Sequence, residues 1–178
     1  MSSRGIFVPG KGSTVASYTA AVASGAFYPG DWVSINTVVP TSQGVSGVYR
    51  GQTLGGADFI ECVLSDSDVV GAEAGCLGCM HGLTINAPAN WETVTSNVVA
   101  DGDVVIIQNW GVHPQGAQVT GGTLGDNLHI GTDAGQCVND VTNTALDVGI
   151  NLTASSTYTR AAATDTNGAV VFVRCAGA

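Results

Sequence analysis

Charge is what this chain has least of. Only 11% of its 178 residues are Asp, Glu, Lys or Arg, less than half the roughly 25% usual for a soluble domain. The cations are Arg4, Lys11, Arg50, Arg160 and Arg174, set against 14 acids for a net charge of −9. Phosphate backbones are gripped by clusters of positive side chains, so nucleic acid is excluded as a partner. No apolar run approaches the roughly 18 residues of a helical membrane span, which sets a membrane partner aside. The N-terminus, MSSRGIFVPGKGS, carries charge but no continuous apolar stretch, so no secretory signal is expected and folding in a cytoplasm is. Leu, Glu and Lys, the residues that make helices cheap, are scarce. Catalytic signatures are lacking too: there is no G-x-S-x-G elbow, H-E-x-x-H, Walker loop or G-x-G-x-x-G. Cys62, Cys76, Cys79, Cys137 and Cys175 make an odd count without export, which argues against a disulfide scaffold. Most read as small buried apolar residues.

What the chain does have is Gly, 25 of them, together with abundant Ser, Thr, Val and Ala. β-Branched and turn residues in that proportion predict an all-β fold: an antiparallel sandwich or a small barrel, β-tulip-like forms included. Residues 1–14 read as an extended arm punctuated by Gly5, Pro9, Gly10 and Gly12. Residues 15–178 form the β-rich domain, with 15–28 undecided between helix and strand. Strands are predicted at 31–39, 44–50, 57–64, 77–86, 91–99, 103–112, 117–120, 126–131, 136–138 and 168–175, and 146–160 is ambiguous. Turn signals at nearly regular spacing separate them, as in sandwiches and barrels. Gly30-Asp31 with the strand after it resembles Gly102-Asp103 with its own, and Leu54-Gly55 resembles Leu124-Gly125 at a nearly equal offset. Two similar β units, about 30–60 and 102–131, are one reading of this; chance in a Gly-rich chain is the other.

The sharpest candidate for chemistry is 76-CLGCMH-81. Cys76, Cys79 and His81 offer soft ligands, and Cys62 a fourth for tetrahedral zinc. Against zinc, no second tight ligand pair is visible, and two small cysteines in a Gly-rich loop explain the motif at lower cost. His113 and His129 are candidate bases, but neither has a partnered nucleophile. His113 reads as a turn residue before Pro114, and His129 as a strand residue facing solvent. Asp66-Ser67-Asp68 and Asp101-Gly102-Asp103 suit a calcium loop or ordinary turns, and turns suffice.

Three stretches carry a family resemblance: 102-GDVVIIQNWGVHP-114, 123-TLGDNLHIGTDAGQCV-138 and 160-RAAATDTNGAVVFVRC-175. Together they resemble the decoration, or cement, proteins of tailed-phage capsids, in particular the small β-rich head proteins of cyanophages. The resemblance covers about residues 100–175 and rests on structural motifs; the C-x-x-C departs from it. It implies a virion protein without enzymatic activity or cofactor, assembled in the host cytoplasm. Its partners would be the major capsid protein and further copies of itself, as trimer or dimer. Arg4, Ile6, Phe7, Val8 and Lys11 of the arm would make capsid or subunit contacts by adding a strand to a neighbouring edge. Two other classes stay open. Trp32, Trp91 and Trp110 suit a carbohydrate-binding or adhesion module, although Trp32 and Trp110 flank apolar strands and read better as core or interface anchors. Another minor phage head or tail protein is the remaining alternative.

Overall fold

The structure, a computed structural model, describes residues 4–6, 16–36, 48–54, 57–68, 75–82, 99–139, 147–161 and 164–175. Every regular element among them is a strand. The first six are β1 (Arg4–Ile6), β2 (Ala16–Ala23), β3 (Trp32–Ile35), β4 (Val48–Leu54), β5 (Ala57–Leu64) and β6 (Cys76–Gly82). The rest are β7 (Val104–Gln118), β8 (Asn127–Ile130), β9 (Cys137–Asn139), β10 (Gly149–Asn151), β11 (Ser156–Ala161) and β12 (Thr164–Arg174). The all-β expectation holds, and residues 16–23, left undecided between helix and strand, are extended. Of the strand expected at 91–99, only Val99 is described; it bridges to Phe27.

Pairing closes the sheet on itself twice. Strands β2, β5, β3, β6 and the first half of β7 form a ring, because β7 meets β6 on one edge and β2 on the other. The second half of β7 continues into another ring with β12, β10, β8 and β9, closed where Gln118 meets Cys137. The small barrel expected from composition is thus built twice on one shared strand. The sheet is mixed, however: β2–β5 and β7–β9 run parallel, which corrects the expectation of antiparallel pairing throughout.

A strand long enough to serve both rings must pass Pro114, which offers no N–H to a ladder. It does so at a bulge: His113 pairs with Val171 and Gly116 with Ala169, so Pro114 and Gln115 together oppose Val170. The segments expected at 103–112 and 117–120 are therefore one strand bent at its proline, not two.

The Gly-Asp stretches share a local device. In Tyr28–Asp31, Ala100–Asp103 and Thr123–Asp126 the third residue is Gly, at φ 94°, 84° and 91°. Among the described residues no non-Gly residue has positive φ, so these are type II turns, which demand φ above zero only at that position. The Asp N–H donates to the first residue's carbonyl at 3.0, 3.1 and 3.3 Å. Its carboxylate accepts the first residue's N–H at 2.9, 2.9 and 2.7 Å. Each turn then launches a strand: β3, β7 or β8. The two Gly-Asp stretches share this turn, while the strands they launch differ in length, 4 residues in β3 against 15 in β7.

Each ring has its own core. Ala21, Phe27, Val33, Leu77, Met80, Val105 and Ile107 fill the first. Leu128, Ile130, Val171 and Val173 belong to the second, joined by Trp32, which comes from the first ring. The indole is fully buried and donates Nε1–H to the Ala117 carbonyl at 3.1 Å. Space for it depends on glycine: a Cβ at Gly149 would stand 3.0 Å from the indole, and one at Gly116 3.4 Å from it. Trp32 therefore locks the rings together.

Candidate functional site

Strand alternation decides what becomes of the C-x-x-C. Ser34 pairs with Cys76 and Val33 with Gly78, leaving Leu77 as an extra residue in β6. The bulge turns a three-residue spacing into same-side placement, so Cys76 and Cys79 both enter the second core while Leu77 and Met80 enter the first. Gly78 makes this workable at φ 135°, with the Gln108 backbone so close that a Cβ would fall 2.1 Å from its oxygen.

The four zinc candidates do not converge. Cys62 lies in the first core, away from Cys76 and Cys79. His81 instead packs its ring between Tyr18, at 5.4 Å, and His113, at 5.3 Å, edge-on to both. Among the described residues no group of three or more His, Cys, Asp or Glu side chains is placed to hold a metal ion.

His129, expected to face solvent, and His113, expected in a turn, are both buried in strands, as is His81. For His129 the expectation failed because alternation signals an exposed face only where one face meets water. Leu128, His129 and Ile130 of β8 are buried in succession, so both faces of that strand are covered. His113 Nδ1 lies 2.5 Å from the Gln115 carbonyl and 3.6 Å from Cys79 Sγ. The Cys79 thiol donates to the carbonyls of Gly30, at 3.2 Å, and Gln115, at 3.4 Å. Burial, with repulsion from His81 behind it, pushes the His113 imidazole down to about 3. Burial, then Asp31 and Cys76, pushes the Cys79 thiol well above its ordinary value. A nucleophilic cysteine needs the reverse, a thiolate stabilised by imidazolium. The pair is a neutral packing contact.

The remaining polar groups brace the fold. His129 Nε2 stands 3.3 Å from Asp147 Oδ1, and Asp147 also receives the Arg174 guanidinium, which reaches Asn127 Oδ1 at 3.1 Å. Inside the second ring Gln118 donates to Asn151 at 2.6 Å, Asn151 to Asn139 at 2.9 Å, and Asn139 back to Gln118 at 3.3 Å. This closed cycle of carboxamides satisfies groups whose burial would otherwise be costly. Of the paired acids, Asp66 caps its own turn by accepting Asp68 N–H, and Asp101 ties two distant loops by accepting Gly25 N–H, both at 2.9 Å.

The surface carries the more distinctive feature. Outward positions of β7, β12 and β10 align as Val112, Phe172 and Ile150 across the sheet. Trp110 meets Phe172 edge to face at 5.3 Å. Leu152, just past β10, hydrogen-bonds the Val170 carbonyl at 2.8 Å. Trp110 is 47% exposed, and Val112 and Leu152 are exposed with it. Trp110 stood out in the sequence; its partners did not, because only strand register unites them.

Of the expected contact residues, Arg4 and Ile6 lie in β1, which pairs with β2 of its own chain. Phe7, Val8 and Lys11 fall outside the described residues, as does Trp91. No family model, no curated protein and no solved structure matches the chain.

Proposed function

We propose that this chain is a virion structural protein that decorates the outer capsid surface and cements neighbouring major capsid subunits. The observation that carries the reading is the outward apolar band of Trp110, Phe172, Val112 and Ile150. Exposed apolar patches of this kind mark interaction surfaces, and a central Trp is the commonest energetic anchor of such contacts. Here the band lies on three hydrogen-bonded strands, so little order must be gained on binding. The rest of the surface is poor in charge, and a shell of many copies multiplies a modest contact. The buried contact of His113 with Cys79, each held in its neutral form by burial, is consistent with adhesion rather than bond-making chemistry.

Co-sedimentation with assembled heads stripped of the protein tests the reading. The wild type should pellet with the heads, and Trp110→Ser should bind at least about tenfold more weakly, the ~1.4 kcal/mol or more expected of a Trp anchor, with its Tm nearly unchanged. A wild type that stays in the supernatant, or a Trp110→Ser that binds equally, refutes it. The same exposed indole favours one second reading, a carbohydrate-binding or adhesion surface. Trp32, a supposed stacking partner, is fully buried, and an empty glycan array would discard that reading.

A further inference from the structure

We infer that Cys76 and Cys175 form a disulfide that ties the first ring to the second when the protein meets an oxidising thiol pool. Their Sγ atoms lie 3.2 Å apart although 99 residues separate them in the chain. Cys76 opens β6; Cys175 follows β12, where its N–H donates to the Asn109 carbonyl at 3.0 Å. Both thiols are buried in the second core, and the backbone on each side is held by pairing. Closure therefore needs only a small approach of two sulfurs already in contact, toward the roughly 2.05 Å of a disulfide.

Two of the other three thiols are less well placed, while the third, Cys137, shares the second core with the pair. Cys62 lies in the first core. Cys79 points its thiol at the carbonyls of Gly30 and Gln115. Cys175, at 9% exposure, is the more accessible member of the pair; Cys76 is at 2%.

Glutathione disulfide supplies a sufficient oxidant. The Cys175 sulfur, having lost its proton, attacks one sulfur of glutathione disulfide and displaces a glutathione thiolate. The Cys76 sulfur, losing its own proton, then attacks Cys175 Sγ and displaces the second. Two protein thiols are oxidised, one disulfide is reduced to two thiols, and both protons end on glutathione. The Cys76 hydrogen bond, then burial, hold the Cys175 thiol well above its ordinary range, so thiolate is scarce and closure is slow until the end of β12 opens. Thiols of this kind stay reduced in a cytoplasm and close outside it.

Peptide mapping of the full chain decides the matter. The protein is incubated with glutathione disulfide in mild urea, alkylated, and cut after Lys, Arg and Glu without reduction. The sequence then yields separate peptides for Cys62 (62–73), Cys76 and Cys79 (74–92), Cys137 (93–160) and Cys175 (175–178). The expected product is 74–92 joined to 175–178, with fragment ions placing the bond on Cys76. The oxidised protein should melt on the order of 10 °C higher than the reduced form, as for a loop of about 100 residues, and Cys76→Ala should abolish the gain. Five alkylated thiols, a lasting glutathione adduct on Cys175, or a bond to 62–73 or 93–160 overturns the inference. The wild-type map suffices should the variant fail to fold.

Discussion

Gly78→Ala probes the bulge that sets the register of β6, and the structure gives its size. The added Cβ would sit 2.1 Å from Gln108 O, 2.8 Å from Gln108 C and 2.9 Å from Asn109 Cα. All three are backbone atoms of β7, so no side chain can rotate out of the way. A carbon and a carbonyl oxygen come no closer than roughly 3.3 Å in comfortable contacts, so β6 and β7 must part by about an ångström. That movement strains the pairing of Cys79 with Gln108 and Met80 with Ile107. Overpacking costs about 1–3 kcal/mol, the positive φ about 1–2 more for a side chain, and a weakened ladder bond about 1. A loss of about 4 kcal/mol is expected, a large part of the 5–15 kcal/mol by which domains are stable. Gly102→Ala is the control: it has positive φ too, but nothing lies within 4 Å of its Cβ, so only about 1–2 kcal/mol should go. Urea unfolding followed by tryptophan fluorescence measures both. Equal losses at the two glycines, or less than about 1 kcal/mol at Gly78, would refute the close approach of β6 to β7.

Trp32→Ala should lose about 3–5 kcal/mol, the range for a large buried aromatic, and Trp32→Phe about 1–2 through the lost bond to Ala117; denaturant midpoints report both, and a silent Trp32→Ala would show that the rings do not depend on the indole. His113 gives a pH signature. Its folded value, about 3, lies below the 6.5 of the unfolded chain, so the unfolded state takes up the proton first. The stability it contributes is complete above about pH 6.5 and falls as pH drops toward 3, by up to about 1.4 kcal/mol per unit. His113→Gln should flatten the slope of stability between pH 6.5 and 5; parallel curves for variant and wild type would contradict the burial argument.

Sequence reading reached the elements better than their assembly. Local chemistry announced the strands and turns: Pro29-Gly30-Asp31 and Asp101-Gly102-Asp103 state their geometry in three residues. The two rings were not legible, because closure depends on which edges of β7 meet β2, β6, β9 and β12, and none of those pairings leaves a local trace. Pro114 read as a stop, since a proline inside a strand is tolerated when it sits in a bulge of that strand, and the bulge here appears only through pairing with β12. His129 misread because both faces of β8 are covered, and His113 because it takes the inward position beside the exposed Val112 in a strand that continues through Pro114. The C-x-x-C was visible as a motif, but the bulge at Leu77 that turns both thiols one way, and the Cys175 that meets Cys76, were not. Likewise Trp110 stood out in the sequence, while Phe172, far along the chain, became its ring partner only through β12.

Heating heads with and without this protein tests the proposed function most directly. Stripped heads, and heads re-decorated with the wild type, would be warmed in parallel and released DNA measured by nuclease accessibility. The account predicts that wild-type decoration raises the temperature of genome release and that Trp110→Ser does not. Identical release temperatures for stripped and re-decorated heads would contradict it.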